Sequence, residues 1–364
     1  MDDKTKQEIL AKNQKLIDMV IERAKRDFPE DIAIIGLSGS FLTEDFHEKS
    51  DLDLIIINNT DRGWGISFCF ILDDVGYDIY CTPWNTRIEA EANLDSPAIS
   101  NLLDIQILYC AKPEYLERLR SYQQRALDEL NKPIGAGSLS RAQKCIDEAK
   151  RQVAEAHLTD DIGAVRYASG SMFLAITGAI NQLNNAYFRR GIRRYIEELN
   201  TRKHLPHDFE RNYRDMIEAK TAGEIRDGMR RLLKSVIALH SRMSDELLER
   251  PVPTFENLEG TYEELWCNLR NKVIRSALLN DKSYAFLCAV SAQDHFNEVT
   301  RDCGTRKFDV LSQFDANDLE GFRDRFLRMM DEYLEEYNEV GRKVDRYDCF
   351  EDLYRDYLNV GQSG

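Results

Sequence analysis

The chain has 364 residues, 43% hydrophobic and 31% charged, with a formal net charge of -15. That is too apolar for a disordered chain, long enough for two or three domains, and too acidic for a general grip on nucleic acid or an anionic membrane. Eight cysteines without a Cys-x-x-Cys pair argue against a zinc site or disulfide framework; with no signal-peptide pattern in "MDDKTKQEIL", a cytoplasmic protein is expected.

Taken in chain order, residues 4–28 space Ile9, Leu16, Val20, Ala24 and Phe28 along one helical face, and Pro29 closes the helix. "DIAIIGL" (31–37) reads as a buried strand running into Ser38-Gly39-Ser40. "DLDLIII" (51–57) reads as a second strand, covered on both faces, with Asp51 and Asp53 at its mouth. "ISFCFIL" (66–72) and "YDIYCTPW" (77–84) flank "DDVG" and predict a hairpin. A helical stretch is expected from about Thr86 to Leu130, including "LLDIQILYCA", so the strand-bearing part ends near residue 112. "NKPIGAGS" (131–138) is the clearest linker, and Ser138 is expected to cap a helix over about 139–158. A second helix is predicted over about 163–188; "ERPVPTFENLEG" (249–260) is the next break, and helices follow. The expected fold class is α/β (α+β): one domain with a small mixed sheet, then all-α domains. The expected limits are 1–130 (motif core 30–84), 138–248 and 257–364.

In a strand, residues i and i+2 point to the same side, so Asp51 and Asp53 aim together. Paired carboxylates at the end of an apolar strand are costly unless a cation or donors compensate them. Gly39-Ser40, ten residues, Asp51-Leu52-Asp53 and a later Asp78 form an ordered set. The set resembles the nucleotidyltransferase superfamily that includes DNA polymerase beta and the kanamycin and lincosamide nucleotidyltransferases.

The resemblance implies transfer of a nucleoside monophosphate from an NTP, with ATP the expected donor, to a hydroxyl, releasing pyrophosphate. It implies two Mg²⁺ ions, about 3.5–4 Å apart in such sites, held by Asp51, Asp53 and Asp78. Ser38, Gly39 and Ser40 would hold the β- and γ-phosphates. The arginines of "YFRRGIRR", Arg189 and Arg190 first, are candidates for triphosphate contact, although a solvated face paired with Glu197 and Glu198 is the plainer reading. The general base is ranked Asp78, then Glu148, then Glu155, because kanamycin-type relatives take a glutamate from the helical domain.

On the 163–188 helix, Tyr167, Ser171, Gly178, Asn181 and Asn185 form a small, polar stripe that suits a ligand cleft or a helix interface equally. Trp84 is expected in the core. The acidity favours a small, cationic acceptor, such as an aminoglycoside antibiotic, over nucleic acid, and no membrane partner is expected. The rivals are transfer onto RNA, protein or another nucleotide, and a non-catalytic, antitoxin-like regulatory module on the same fold.

Overall fold

The first helix starts where Asp2 accepts a hydrogen bond from the Thr5 N–H at 2.8 Å, satisfying an orphan backbone donor. This helix, α1 (Asp3–Asp27), buries Leu16, Ile17, Val20 and Ala24 and carries Lys25 and Arg26 in its last turn, where cations suit the helix dipole. The structure is a computed structural model that describes residues 1–359. It divides into two units, Met1–Leu248 and Glu249–Gly364.

Strands β1 (Ile32–Leu37), β2 (Leu54–Asn58), β3 (Phe68–Leu72), β4 (Val75–Ile79), β5 (Cys81–Pro83) and β6 (Gln106–Cys110) follow. The main sheet runs β5-β2-β1-β6, with β2 and β6 antiparallel to β1 and β5 parallel to β2. All five residues of β2 are buried because both faces are covered. Leu54 and Ile56 pack with α1 and the β3–β4 hairpin. Ile55 and Ile57 pack under Trp84, Ile88, Leu102 and Leu119, from the helical segments that follow β5. The expected hairpin forms, as a sheet of its own, but Val75 and Gly76 join its second strand and the run expected as one strand over 77–84 is split, with β5 passing to the main sheet. The two-residue turn holds Asp73 and Asp74 at φ 53° and 57°. Asp tolerates that left-handed backbone, which matches the strand twist.

The helix expected over Thr86 to Leu130 is broken. It is replaced by short helices α2 (Glu89–Ala92) and α3 (Ser100–Leu103), the strand β6, and α4 (Pro113–Asn131). Asp95-Ser96-Pro97 cannot continue a helix, and Leu94 takes φ 60°. "QILYC" is then free to pair along the open edge of β1, so long-range pairing overrides local apolar spacing.

The helical half of this unit comprises α5 (Ala136–His157), α6 (Ile162–Gln182), α7 (Tyr195–Leu199), α8 (Phe209–Glu218) and α9 (Ala222–Leu247). Ile146, Met172, Ile176, Met229, Leu232 and Val236 lie in its core. Helix α5 starts three residues earlier than expected, so Ser138 is inside it. The Ser138 hydroxyl donates to Asn185 Oδ1 at 2.7 Å instead of capping. Helix α6 stops at Gln182, six residues short of the expectation: Asn184 bonds Ile180 O and both backbone groups of His204, which holds the chain in a loop.

The second unit holds α10 (Thr261–Leu265), α11 (Asn271–Leu278), α12 (Lys282–Cys303), α13 (Leu319–Glu339) and α14 (Phe350–Asn359). Its core is aromatic, built on Phe296, Phe322, Phe326, Tyr333 and Tyr337. The buried Tyr337 hydroxyl donates to Leu258 O at 2.6 Å and accepts from Tyr262 N–H at 2.7 Å, so the ring is buried without an orphaned polar atom. No described helix is long and apolar enough to cross a membrane.

Candidate active site

Strand β1 ends at Leu37, and the chain turns sharply through Ser38-Gly39-Ser40. Gly39 sits at φ +75°, a backbone that favours glycine. A Cβ there would lie 1.8 Å from Asp53 Oδ2 and 2.6 Å from Asp53 Cγ. The turn therefore presses directly on the Asp53 carboxylate. Ser38 N–H also donates to Asp53 O at 3.0 Å, fastening the end of β1 to the approach of β2.

Asp51 and Asp53 precede β2, which begins at Leu54, yet the alternation expected of them holds. Leu52 and Leu54 point inward while Asp51 and Asp53 are exposed. Burial first, and the Asp51 charge second, raise the Asp53 carboxyl to about 6 against the partial opposition of the Ser40 backbone N–H. Asp53 keeps an exposed face, but the protein packed on its other side, Gly39 included, dominates its solvation. Two close carboxylates with one compensating donor fit a hard divalent cation, which takes one or two carboxylates plus phosphate oxygens and water.

Asp78 lies on the outward face of β4, where the Cys69 thiol donates to its Oδ1 at 3.0 Å. Ile56 pairs with Cys81 and Asn58 with Pro83, and continuing that register back three residues would set Asp53 opposite Asp78. The continuation does not form, because the chain before Tyr80 is committed to the hairpin. Among the described residues no three His, Cys, Asp or Glu side chains come together as a metal site. The close carboxylates are Asp51 and Asp53, while Asp78 is engaged by Cys69.

Ser38 and Gly39 open onto a cavity of about 480 Å³ that is also lined by Thr43, Ser100, Asp104, Arg189 and Arg190. Four of the five expected phosphate-site residues share this cavity; Ser40 instead faces Asp53. The expected acidic pairing exists as well: Arg189 and Arg190 donate backbone N–H groups to Glu198, and Arg190 Nη1 lies 3.8 Å from Glu197. The Arg189 guanidinium reaches Asp104 Oδ1 at 2.9 Å, and Arg194 grips Asp45 through two bonds of 2.7 and 2.8 Å. Arg194 thereby ties the helical half to the loop that follows the Gly-Ser turn.

Glu148 lies elsewhere. It lines a second cavity, of about 340 Å³, with Asp95, Lys144, Cys145 and Gly178. Arg151 and then Gln152 hydrogen-bond its carboxylate and hold it below the usual range. Glu155 is exposed. A third cavity, of about 270 Å³, has apolar walls of Pro97, Ile99, Tyr187, Phe188, Ile192 and Tyr195. The Phe188 and Tyr195 rings stack at 3.6 Å between centroids. From the small-residue stripe, Gly178 lines the second and third cavities and Asn181 the third. Tyr167 faces solvent and Asn185 bonds Ser138 and Lys132 O. Trp84 is buried, as expected, with its indole N–H on Asn59 Oδ1 at 3.0 Å.

Two residues escaped the sequence reading. Asn101 accepts the Ser38 hydroxyl at 2.9 Å, and Asp104 accepts from Arg189 and, at 3.2 Å, from the Tyr187 hydroxyl. Both belong to the stretch read as continuous helix, and neither falls in a motif.

No family model matches the chain, and no curated protein does. Among solved structures it is similar to a nucleotidyltransferase-like protein from Exiguobacterium sibiricum 255-15, with 14% identity and a TM-score of 0.36, over 68% of this chain and 88% of that one. At that identity and score the likeness decides nothing about chemistry, which the residues themselves must carry.

Proposed function

We propose that the protein moves a nucleoside monophosphate from an NTP, with ATP the expected donor, to a hydroxyl of a small molecule, releasing pyrophosphate. The observation that carries this reading is the Gly39 turn pressed against Asp53 beside Asp51, with Ser38 and Gly39 of the same turn lining the cavity that Arg189 and Arg190 share. In the reaction the acceptor oxygen bonds to the α-phosphorus as the bond to the pyrophosphate oxygen breaks. Mg²⁺ held by Asp51 and Asp53 would offset the charge on the attacking and leaving oxygens. Ser38 and the Arg190 guanidinium, on the same cavity, orient the phosphate chain. The Ser40 N–H keeps Asp53 turned toward the Gly-Ser turn.

The acceptor hydroxyl must give up its proton to a base within hydrogen-bond reach. Asp78 is our first assignment, since a thiol is a weak donor that a bound ligand can replace. Glu148, already paired with Arg151, suits acceptor binding better than proton removal. The net charge of -15 favours a cationic acceptor, with aminoglycosides the first class to try.

The engagement of Asp78 by the Cys69 thiol favours one other reading, a nucleotide-binding module without turnover. Purified protein incubated with Mg²⁺, each NTP and a panel of aminoglycosides, other metabolites and RNA separates the two. Pyrophosphate release that needs acceptor and Mg²⁺, and that Asp51→Asn abolishes, supports transfer. Nucleotide binding without release under every combination supports the module and sinks the enzyme.

A further inference from the structure

We propose that the cavity beside the Gly-Ser turn receives a ribonucleotide, with Asp104 accepting a ribose hydroxyl and the adjoining apolar cavity seating the base. The inference rests on the nucleotide reading above and adds to it the sugar, the base seat and a residue that no motif marks.

Asp104 is held from one side only. Its Oδ1 accepts from Arg189 Nη2 at 2.9 Å and from the Tyr187 hydroxyl at 3.2 Å, which fixes the carboxylate plane. Its Oδ2 is buried and accepts no hydrogen bond among the described residues, although Asp104 lines the cavity. A buried acceptor left unmade is expensive, and an anionic one more so. The cavity that Asp104 lines is also lined by Ser38, Thr43 and Ser100 and by the cations Arg189 and Arg190. A ligand that completes this set carries an anionic end for the arginines and a hydroxyl proton for Asp104.

The neighbouring walls say what lies beyond the hydroxyl. Residues 99 and 100 are consecutive, as are 188 and 189. Ile99 and Phe188 line the apolar cavity, while Ser100 and Arg189 line the polar one. The two openings are therefore lined by successive residues of the same two segments, and Tyr187, which lines the apolar one, reaches Asp104 with its hydroxyl. The order is arginines and Gly-Ser turn, then Asp104, then an apolar chamber with Phe188 stacked on Tyr195. Phosphates, ribose and base follow one another in that same order along a nucleotide. A carboxylate only accepts, so it distinguishes a hydroxyl from a hydrogen, a fluorine or a methoxy group at the same carbon.

The test is calorimetric binding to the full chain in Mg²⁺. Its ligands are inorganic triphosphate, the four NTPs, and the 2′-deoxy, 3′-deoxy and 2′-O-methyl forms of the tightest NTP. The expected result has three parts. An NTP binds more tightly than triphosphate. Loss of one ribose hydroxyl weakens binding about 10-fold or more, the scale of a hydrogen bond to a charged group. That discrimination then disappears in Asp104→Ala and shrinks in Asp104→Asn, whose amide oxygen still accepts but carries no charge. Equal affinity for ribo and deoxy forms of the wild-type protein overturns the role of Asp104, whether or not either variant folds; discrimination that survives in a folded Asp104→Ala overturns it too. Triphosphate binding as tightly as every NTP overturns the base seat and leaves the phosphate reading standing. No binding of any of these ligands overturns this inference together with the nucleotide reading.

Discussion

Replacing Asp53 by Asn should stabilise the metal-free protein at neutral pH, a consequence that does not depend on knowing any substrate. The folded-state carboxyl sits at about 6 against an ordinary 3.8. Because its folded value is raised, the native state binds the proton more tightly than the unfolded chain does. Stability is therefore undiminished below about pH 4, falls as pH climbs through 4 to 6, and carries the whole penalty above. At 1.36 kcal/mol per pKa unit the displacement corresponds to about 3 kcal/mol. Asp53 keeps an exposed face, and solvent screening reduces this to about 1 kcal/mol. Asn removes the charge but can still accept from the Ser40 N–H. In EDTA at pH 7.5 the variant should melt about 2–4 °C higher, the scale for a unit of this size. The gain should vanish at pH 4, and Mg²⁺ should raise the melting temperature of the wild type more than that of the variant. A variant that melts lower at pH 7.5, or a difference independent of pH, would refute the charge penalty that burial, and then Asp51, places on Asp53.

Gly39→Ala should cost about 1–3 kcal/mol for its left-handed backbone and displace the Asp53 carboxylate; melting and nucleotide turnover should both fall, the latter at least about 100-fold. Glu148→Gln should raise KM for a cationic acceptor while leaving kcat and NTP binding near wild type, because Glu148 lines a cavity apart from the Gly-Ser turn. Arg194→Ala should release the loop around Asp45, seen as faster proteolytic cleavage within residues 41–50.

The parts that were legible in the sequence are those whose signal is local. Helix α1 and strands β1 and β2 announce themselves by spacing and by an apolar run, and Asp51 and Asp53 stand out because carboxylates beside Leu52 and Leu54 need a reason. Strand β6 was not legible. Its five residues are apolar enough for either structure, and only the free edge of β1, some seventy residues upstream, decides. The caps behave similarly: Ser138 has the chemistry of an N-cap, but Asn185, 47 residues away, claims its hydroxyl. Asp104 is one of 64 acidic residues, and its place in the site arises from Arg189, 85 positions later. The position of Asp78 could be expected, whereas its engagement with Cys69 depends on where the hairpin leaves the sheet.

The central claim is that the site at Gly39, Asp51 and Asp53 transfers a nucleoside monophosphate rather than a phosphate. Parallel reactions with NTP labelled at the α- or the γ-phosphorus, using whichever acceptor supports pyrophosphate release, test this directly. The account predicts that α-label moves to the acceptor, γ-label leaves as pyrophosphate, and Asp51→Asn and Asp53→Asn lose both. Transfer of the γ-label to the acceptor, or α-label transfer undiminished in Asp53→Asn, would contradict it.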